Sequence, residues 1–190
     1  MTSLSILRTP LLLLASAWTL SAGAVEYTAV AADQSRVSFR FQQMGVAMDG
    51  EFKKFSARLR FDPARPAAAQ AQIDIDLASI DTGSAEADEE VAGKAWFHVQ
   101  AHPTASFVAR TIQATGKHQY EVQGQLSIKG RNRDVRFALR YEPRGQAGVF
   151  SGGFVIRRAD FAIGEGIWSK FDVVANDIQV NFQLTAVTGH

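Results

Sequence analysis

A chain of 190 residues with 20 Lys and Arg against 19 Asp and Glu has a formal charge of +1, too even a balance for gripping nucleic acid or an anionic membrane surface through excess positive charge. Cys is absent, which excludes thiol catalysis, thiolate metal sites and disulfide stapling together. The length fits a single domain, and 46% hydrophobic residues are enough for one sizeable core.

The N-terminal segment is expected to be missing from the mature protein. Arg8 precedes the apolar run Leu11, Leu12, Leu13, Leu14, and Ala22-Gly23-Ala24 supplies an A-x-A cleavage site. That is the pattern of a secretory signal peptide over residues 1–24, with an apolar part too short to span a bilayer. Cleavage after Ala24 leaves a mature domain of residues 25–190 and removes Arg8, so the formal charges cancel. All 13 Phe lie in that mature part, and no later stretch reaches transmembrane length.

From there the chain alternates. Val37, Phe39 and Phe41 alternate with polar residues in "SRVSFRFQ", as do Ala57, Leu59 and Phe61 in "SARLRFDP". Ile73, Ile75 and Leu77 alternate with Asp74 and Asp76, whose side chains therefore share the polar face. "TASFVART" follows, then a hairpin over 122–143 in which Val122, Gly124, Leu126 and Ile128 face Val135, Phe137, Leu139 and Tyr141 across a basic, glycine-containing tip. "VFSGGFVIRR" and "NDIQVNFQLTA" complete the set. Counting "GEFKKFSARLRF" as one bent ribbon gives about eight strands, with a ninth near Tyr27. "ARPAAAQAQ" (64–72) reads as a loop leading into a strand.

Two intervals depart from this period. In "TGSAEADEEVAGKAWF" (82–97), Ser84 is placed to cap one short helix whose first turn carries Glu86 and Asp88, with Val91, Ala95 and Trp96 on its buried side. "RRADFAIGEGIWSKFDVVAND" (157–177) is rich in glycine and aromatic residues without periodicity. The fold class is therefore all-β, antiparallel, with one short helix; barrel and sandwich both satisfy the period.

Chemical signatures are sparse. The chain has no G-x-S-x-G, S-x-x-K or H-E-x-x-H. His98 and His102 in "FHVQAHP" are four apart, but Pro103 pushes His102 out of helical geometry and no third ligand follows. They read as a loop that pins the helix exit, with no metal and no cofactor. Asp160 and Glu165 stand in the aromatic interval, and Lys129, Arg131 and Arg133 crowd the hairpin tip as exposed bases.

The ordered segments "DQSRVSFRFQQMGVAMDGEFKKFSARLRFDP", "IDLASIDTG", "KAWFHVQAHPTASF", "VQGQLSIKG" and "RADFAIGEGIW" resemble the YceI-like family across essentially the whole mature chain. The resemblance implies an extended lipocalin-like antiparallel β-barrel in the periplasm. Its apolar tunnel would hold a polyisoprenoid, an isoprenoid quinone or a similar long amphiphile. Matched position by position, it assigns ligand contact to Phe39, Phe41, Phe52, Phe61, Phe107, Leu126, Ile128, Phe137, Phe161, Ile163, Trp168 and Phe182. The chain departs from the family pattern at His98 and His102, at Gln42-Gln43-Met44, and at the tip "GRNRDV". The reading is a carrier and not an enzyme, with no catalytic residue, no nucleic-acid partner, no integral membrane span, and room for a homodimer. Two alternatives stay open: an enzyme using His98, His102 or Asp160 at the barrel mouth, and an interaction module with a solid core and no ligand.

Overall fold

The computed structural model describes residues 25–189, so the signal peptide read at 1–24 lies outside the described residues. The elements are β1 (Tyr27–Gln43), β2 (Val46–Phe52), β3 (Phe55–Arg60), β4 (Gln70–Asp76), β5 (Ile80–Asp81), α1 (Ala85–Ala92), β6 (Thr104–Gly116), β7 (Gln119–Ile128), β8 (Arg131–Arg144), β9 (Ala147–Arg157) and β10 (Asp177–Thr188). The strands form one antiparallel sheet in the order β3-β4-β6-β7-β8-β9-β10-β1-β2-β5. This is the expected all-β, lipocalin-like architecture with one helix.

A short connection closes the sheet. β3 is one edge of the strand order and β2 lies beside the other edge, yet only Lys53 and Lys54 separate them in the chain. Two residues span a few ångströms, so the edges must meet and the sheet must curl into a barrel. The seam carries its own hydrogen bonds. Tyr27 N donates to Phe61 O at 2.9 Å and Phe61 N to Tyr27 O at 3.0 Å across it. At the bend the flanking ladders run on, Lys53 N reaching Ser79 O at 3.0 Å beyond β2–β5 and Asp76 N reaching Lys54 O at 3.1 Å beyond β3–β4. The wall thins along the start of β2, because β5 pairs only with Glu51 and Phe52.

The strand count is ten where about eight were expected. The bend at Lys53-Lys54 splits the long ribbon into β2 and β3, and Ile80–Asp81 adds a two-residue strand too short to show a period. The separate strand near Tyr27 is the start of β1, interrupted between Ala31 and Arg36 by a bulge. Ser35 Oγ stabilises that bulge by donating to Ala31 O at 2.6 Å and accepting from Thr185 N at 2.9 Å.

The 122–143 hairpin has the expected facing, with Val122, Leu126, Ile128, Phe137, Leu139 and Tyr141 all buried. Lys129 and Gly130 turn at φ of 49° and 71°, the pair of positive angles a two-residue hairpin turn demands. The helix begins where Ser84 placed it, and Ser84 Oγ accepts from Ala87 N at 3.4 Å.

The inward faces fill unevenly. At the end where Tyr27 meets Phe61, the ring of Phe61 packs 5.2 Å from Tyr120, 5.7 Å from Tyr141 and 5.0 Å from Phe150. The hydroxyls of Tyr27 and Tyr141 hydrogen-bond at 2.8 Å, and burial together with that bond holds the Tyr141 phenol well above its ordinary pKa. Midway along β8, Phe137 packs 5.5 Å from Phe107, 5.2 Å from Phe154 and 5.5 Å from Phe182. These two aromatic layers make one half of the barrel solid. Phe61→Ala, at 1% exposure inside the first layer, is expected to cost about 3–5 kcal/mol in urea titration. Phe41→Ala, half-buried at the opposite end, should cost clearly less.

Candidate apolar cavity and its mouth

The other half of the barrel is hollow. A cavity of about 440 Å³ lies between the second aromatic layer and the end formed by the β1–β2 and β7–β8 turns, α1 and the crossover from β9 to β10. That volume is typical of a site for a small molecule or a segment of a longer one. Alternation supplies its wall. Phe39 and Phe41 of β1, Phe52 of β2, and Leu126 and Ile128 of β7 point inward from their strands, while Trp96, Ile163 and Trp168 come from the irregular segments above them. Ala87, Glu90 and Val91 of α1 also face it, completing the wall where β2 lacks a full-length neighbour.

Seven of the twelve residues assigned by resemblance are therefore brought together: Phe39, Phe41, Phe52, Leu126, Ile128, Ile163 and Trp168. The remaining five are placed elsewhere. Phe61 is in the aromatic layer that plugs the far end, and Phe107, Phe137 and Phe182 are in the layer beneath the cavity. Phe161 is 2% exposed under the mouth, its ring 6.0 Å from the Arg133 guanidinium.

Arg158 organises the mouth. It is 1% exposed and donates to six backbone carbonyls, those of Ala175, Ile163, Gly164, Trp168, Lys170 and Val174, at 2.7–3.2 Å. A guanidinium has five N–H groups, so this set uses its whole donor capacity. Its carbon lies 5.4 Å from the Trp96 ring and 5.0 Å from the Phe171 ring. Burial lowers its pKa from the ordinary value, and the carbonyl dipoles take the place of water around the charge. Gly164 sits at φ 79°, and a Cβ there would collide with Arg158 Nη1, so the residue must be glycine on both counts.

Two further contacts tie the crossover down. Trp168 Nε1 donates to Glu90 Oε1 at 2.8 Å, and the Trp168 ring lies 5.5 Å from that of Trp96. Lys129 is not the exposed tip base that the sequence led us to expect. Its ammonium is buried, donating to Lys94 O at 3.1 Å, Ala162 O at 2.7 Å and Glu165 Oε2 at 2.9 Å. The turn aims it beneath the crossover, and its bond holds the Glu165 carboxyl below the usual carboxylate range. Arg131 and Arg133 remain exposed.

His98 and His102 are kept apart from this machinery. Their rings are 5.8 Å apart, His102 N donates to His98 O at 2.9 Å, and neither lines the cavity. Among the described residues no three His, Asp or Glu side chains gather in a way that would hold a metal ion. Asp160 pairs with Arg157 at 3.1 Å on the outside. Sequence reasoning did not single out Arg158 or Glu90. The lone signal was "RRADF" at the start of an aperiodic aromatic interval, where a basic residue beside so many turning carbonyls has a use.

An antiparallel barrel with one end packed solid and an apolar cavity at the other defines a lipocalin-like cavity protein. Residues 27–186 match the YceI-like domain, and the chain belongs to that family. It is 30% identical over 135 residues to a UPF0312 protein of Azotobacter vinelandii, covering 67% of this chain and 70% of that one. A UPF0312 protein of Ectopseudomonas mendocina is 29% identical, with 63% of its own length covered. Among solved structures, Burkholderia cenocepacia BcnA is 39% identical with a TM-score of 0.81, over 83% of this chain and 99% of that one. A polyisoprenoid-binding domain from Saccharophagus degradans, implicated in plant cell wall breakdown, shares the fold at 17% identity and a TM-score of 0.69, over 87% of this chain and 99% of that one.

Arg158→Lys is expected to cost about 2 kcal/mol or more, because an ammonium offers three donors to the carbonyls that a guanidinium serves, and each buried carbonyl left unpaired costs about 1–3 kcal/mol. Urea titration measures the loss, and amide exchange should speed up selectively over residues 162–175.

Proposed function

We propose that this protein is an exported, periplasmic carrier that holds a long apolar amphiphile, a polyisoprenoid or an isoprenoid quinone, in the hollow half of its barrel. One observation carries the reading: a 440 Å³ cavity walled by Phe39, Phe41, Phe52, Leu126, Ile128 and Trp168, blocked at one end by aromatic layers and reached from the other. An apolar wall rewards an apolar guest by about 25 cal/mol for each Å² removed from water, with no need for a reactive group. The name of the S. degradans domain points to the same ligand class. Export follows from the leader pattern at 1–24, and no helix among the described residues is long and apolar enough to cross a membrane.

The test is solvent extraction of the purified protein followed by mass spectrometry. A stoichiometric isoprenoid lipid is the expected result; altered lipid products would point to an enzyme, and an empty extract to an interaction module. Ile128→Trp fills the cavity from its wall and should empty the protein while leaving it folded, whereas Ser127→Trp, on the opposite face of β7, should leave lipid content unchanged. If Ile128→Trp instead unfolds a parent protein that contains no lipid, the interior is a solid core and the carrier reading fails. Separately, N-terminal sequencing of the periplasmic protein should begin at Val25; recovery of an intact leader in a membrane fraction would overturn export with cleavage.

A further inference from the structure

The described residues expose ten large apolar side chains, and six of them stand at one end of the barrel. These are Met44, Val46 and Met48 of the β1–β2 hairpin and Ile167, Phe171 and Val173 of the crossover from β9 to β10, two of the segments that bound the mouth of the cavity. Ile167 is 88% exposed and Met44 72%. The other four are single valines, one at the start of the described chain and one each on β6, β9 and β10. Scattered valines on a wall are ordinary, whereas large apolar side chains gathered at one end mark a contact surface.

The two segments are joined and held. Met44 and Gly45 turn the hairpin at φ of 49° and 80°, Met44 N donates to Val173 O at 2.7 Å, and Ala175 N donates to Gln42 O at 3.0 Å. On the crossover, Arg158 pins the carbonyls of Trp168, Lys170 and Val174, which fixes the backbone that carries Ile167, Phe171 and Val173 on the outside. The apolar surface continues that of the cavity. Phe41, which lines the cavity, lies opposite Met48, and Ile167 and Val173 directly precede Trp168 and Val174, which line it too.

We propose that this apolar rim docks on a lipid bilayer, with Met44, Val46, Ile167 and Phe171 entering the boundary between headgroups and acyl chains. The reading rests on the carrier function and names where its guest is collected, since a water-insoluble amphiphile resides in a bilayer. A second copy seated on the same rim would seal the mouth against that guest, whereas a bilayer opens onto it. Arg131, Arg133 and Lys170 stand exposed at this end without an ion pair among the described residues, placed to meet lipid phosphates. At the same end α1 carries Glu86, Asp88, Glu89 and Glu90, so charge alone would not hold the protein to an anionic leaflet. Apolar insertion is the main attachment, in keeping with a formal charge close to zero.

The test is flotation of the purified protein with vesicles of phosphatidylcholine, with and without phosphatidylglycerol. The protein is expected to float with both, and to stay bound in about 0.5 M salt, where exposed charges are screened. Met44→Asp together with Ile167→Asp should lower the bound fraction about fivefold or more, because attachment scales with the apolar area inserted. Aspartate tolerates the left-handed turn at position 44, and both sites are exposed, so the urea midpoint should stay near that of the parent. Val155→Asp, which removes an exposed apolar side chain from β9, should float like the parent. Failure of the parent to float, while solvent extraction still yields a lipid, overturns the docking surface and leaves the carrier reading standing. The docking surface is equally overturned if the double variant floats as the parent does, if salt releases the protein, or if the parent is a dimer that the double variant dissociates. Flotation lost in the double variant, from a protein that never yields a lipid, upholds the docking surface and removes the carrier reading.

Discussion

The two residues Lys53 and Lys54 impose the constraint from which the rest of the architecture follows. They join a strand beside one edge of the sheet to the strand at its other edge, and no flat or merely twisted sheet satisfies so short a link. Once the edges meet, one face of every strand is inside. Alternating sequences such as "SRVSFRF" and "VQGQLSI" then need no second layer to cover their apolar side. The barrel is its own cover, which is why one domain without disulfides and with one short helix suffices.

What differs along the barrel is how that interior is filled. Where Tyr27, Phe61, Tyr120, Tyr141 and Phe150 converge, ring edges meet ring faces and the space is consumed. Towards the mouth the inward positions are held by Leu126, Ile128, Phe39 and Phe52, which wall the cavity instead of filling it. The mouth is built by a different principle, since an aperiodic segment has backbone carbonyls that no ladder satisfies. Arg158 gathers six of them on one buried charge, exchanging hydration for oriented dipoles.

Much of the barrel was legible because period two is a strong signal over seven residues or more. The inward and outward positions of β7 and β8 were readable from the alternation over 122–128 and 135–141, though β7 begins earlier, at Gln119, and β8 already at Arg131; Ser84 marked the start of α1. Elements set by tertiary geometry were not readable. β5 is too short to have a period, and the bulge at Ser35 is held by Thr185 from the far end of the chain. The twelve residues assigned by resemblance are nearly all inward-facing, but direction along a strand is not position along an axis. Phe137 and Ile128 share a face of the hairpin, yet one lies in the aromatic layer and the other lines the cavity. The burial of Lys129 escaped for a similar reason: a basic residue at a turn looks exposed until the segment that folds over it is known.

The pairing of β1 with β10 has a consequence for the order in which this molecule is completed. Tyr27 lies opposite Thr188, so β1 finds its β10 neighbour only after every other described strand has been made. Until β10 is available, β9 and β1 each expose an unpaired edge on the same gap, and the aromatic layers cannot be sealed. Contacts of such long sequence separation fold slowly, and an open-edged intermediate is prone to pair with other chains. A protein built this way is best kept unfolded until it is whole, a requirement that passage through a membrane as an extended chain would meet without further help.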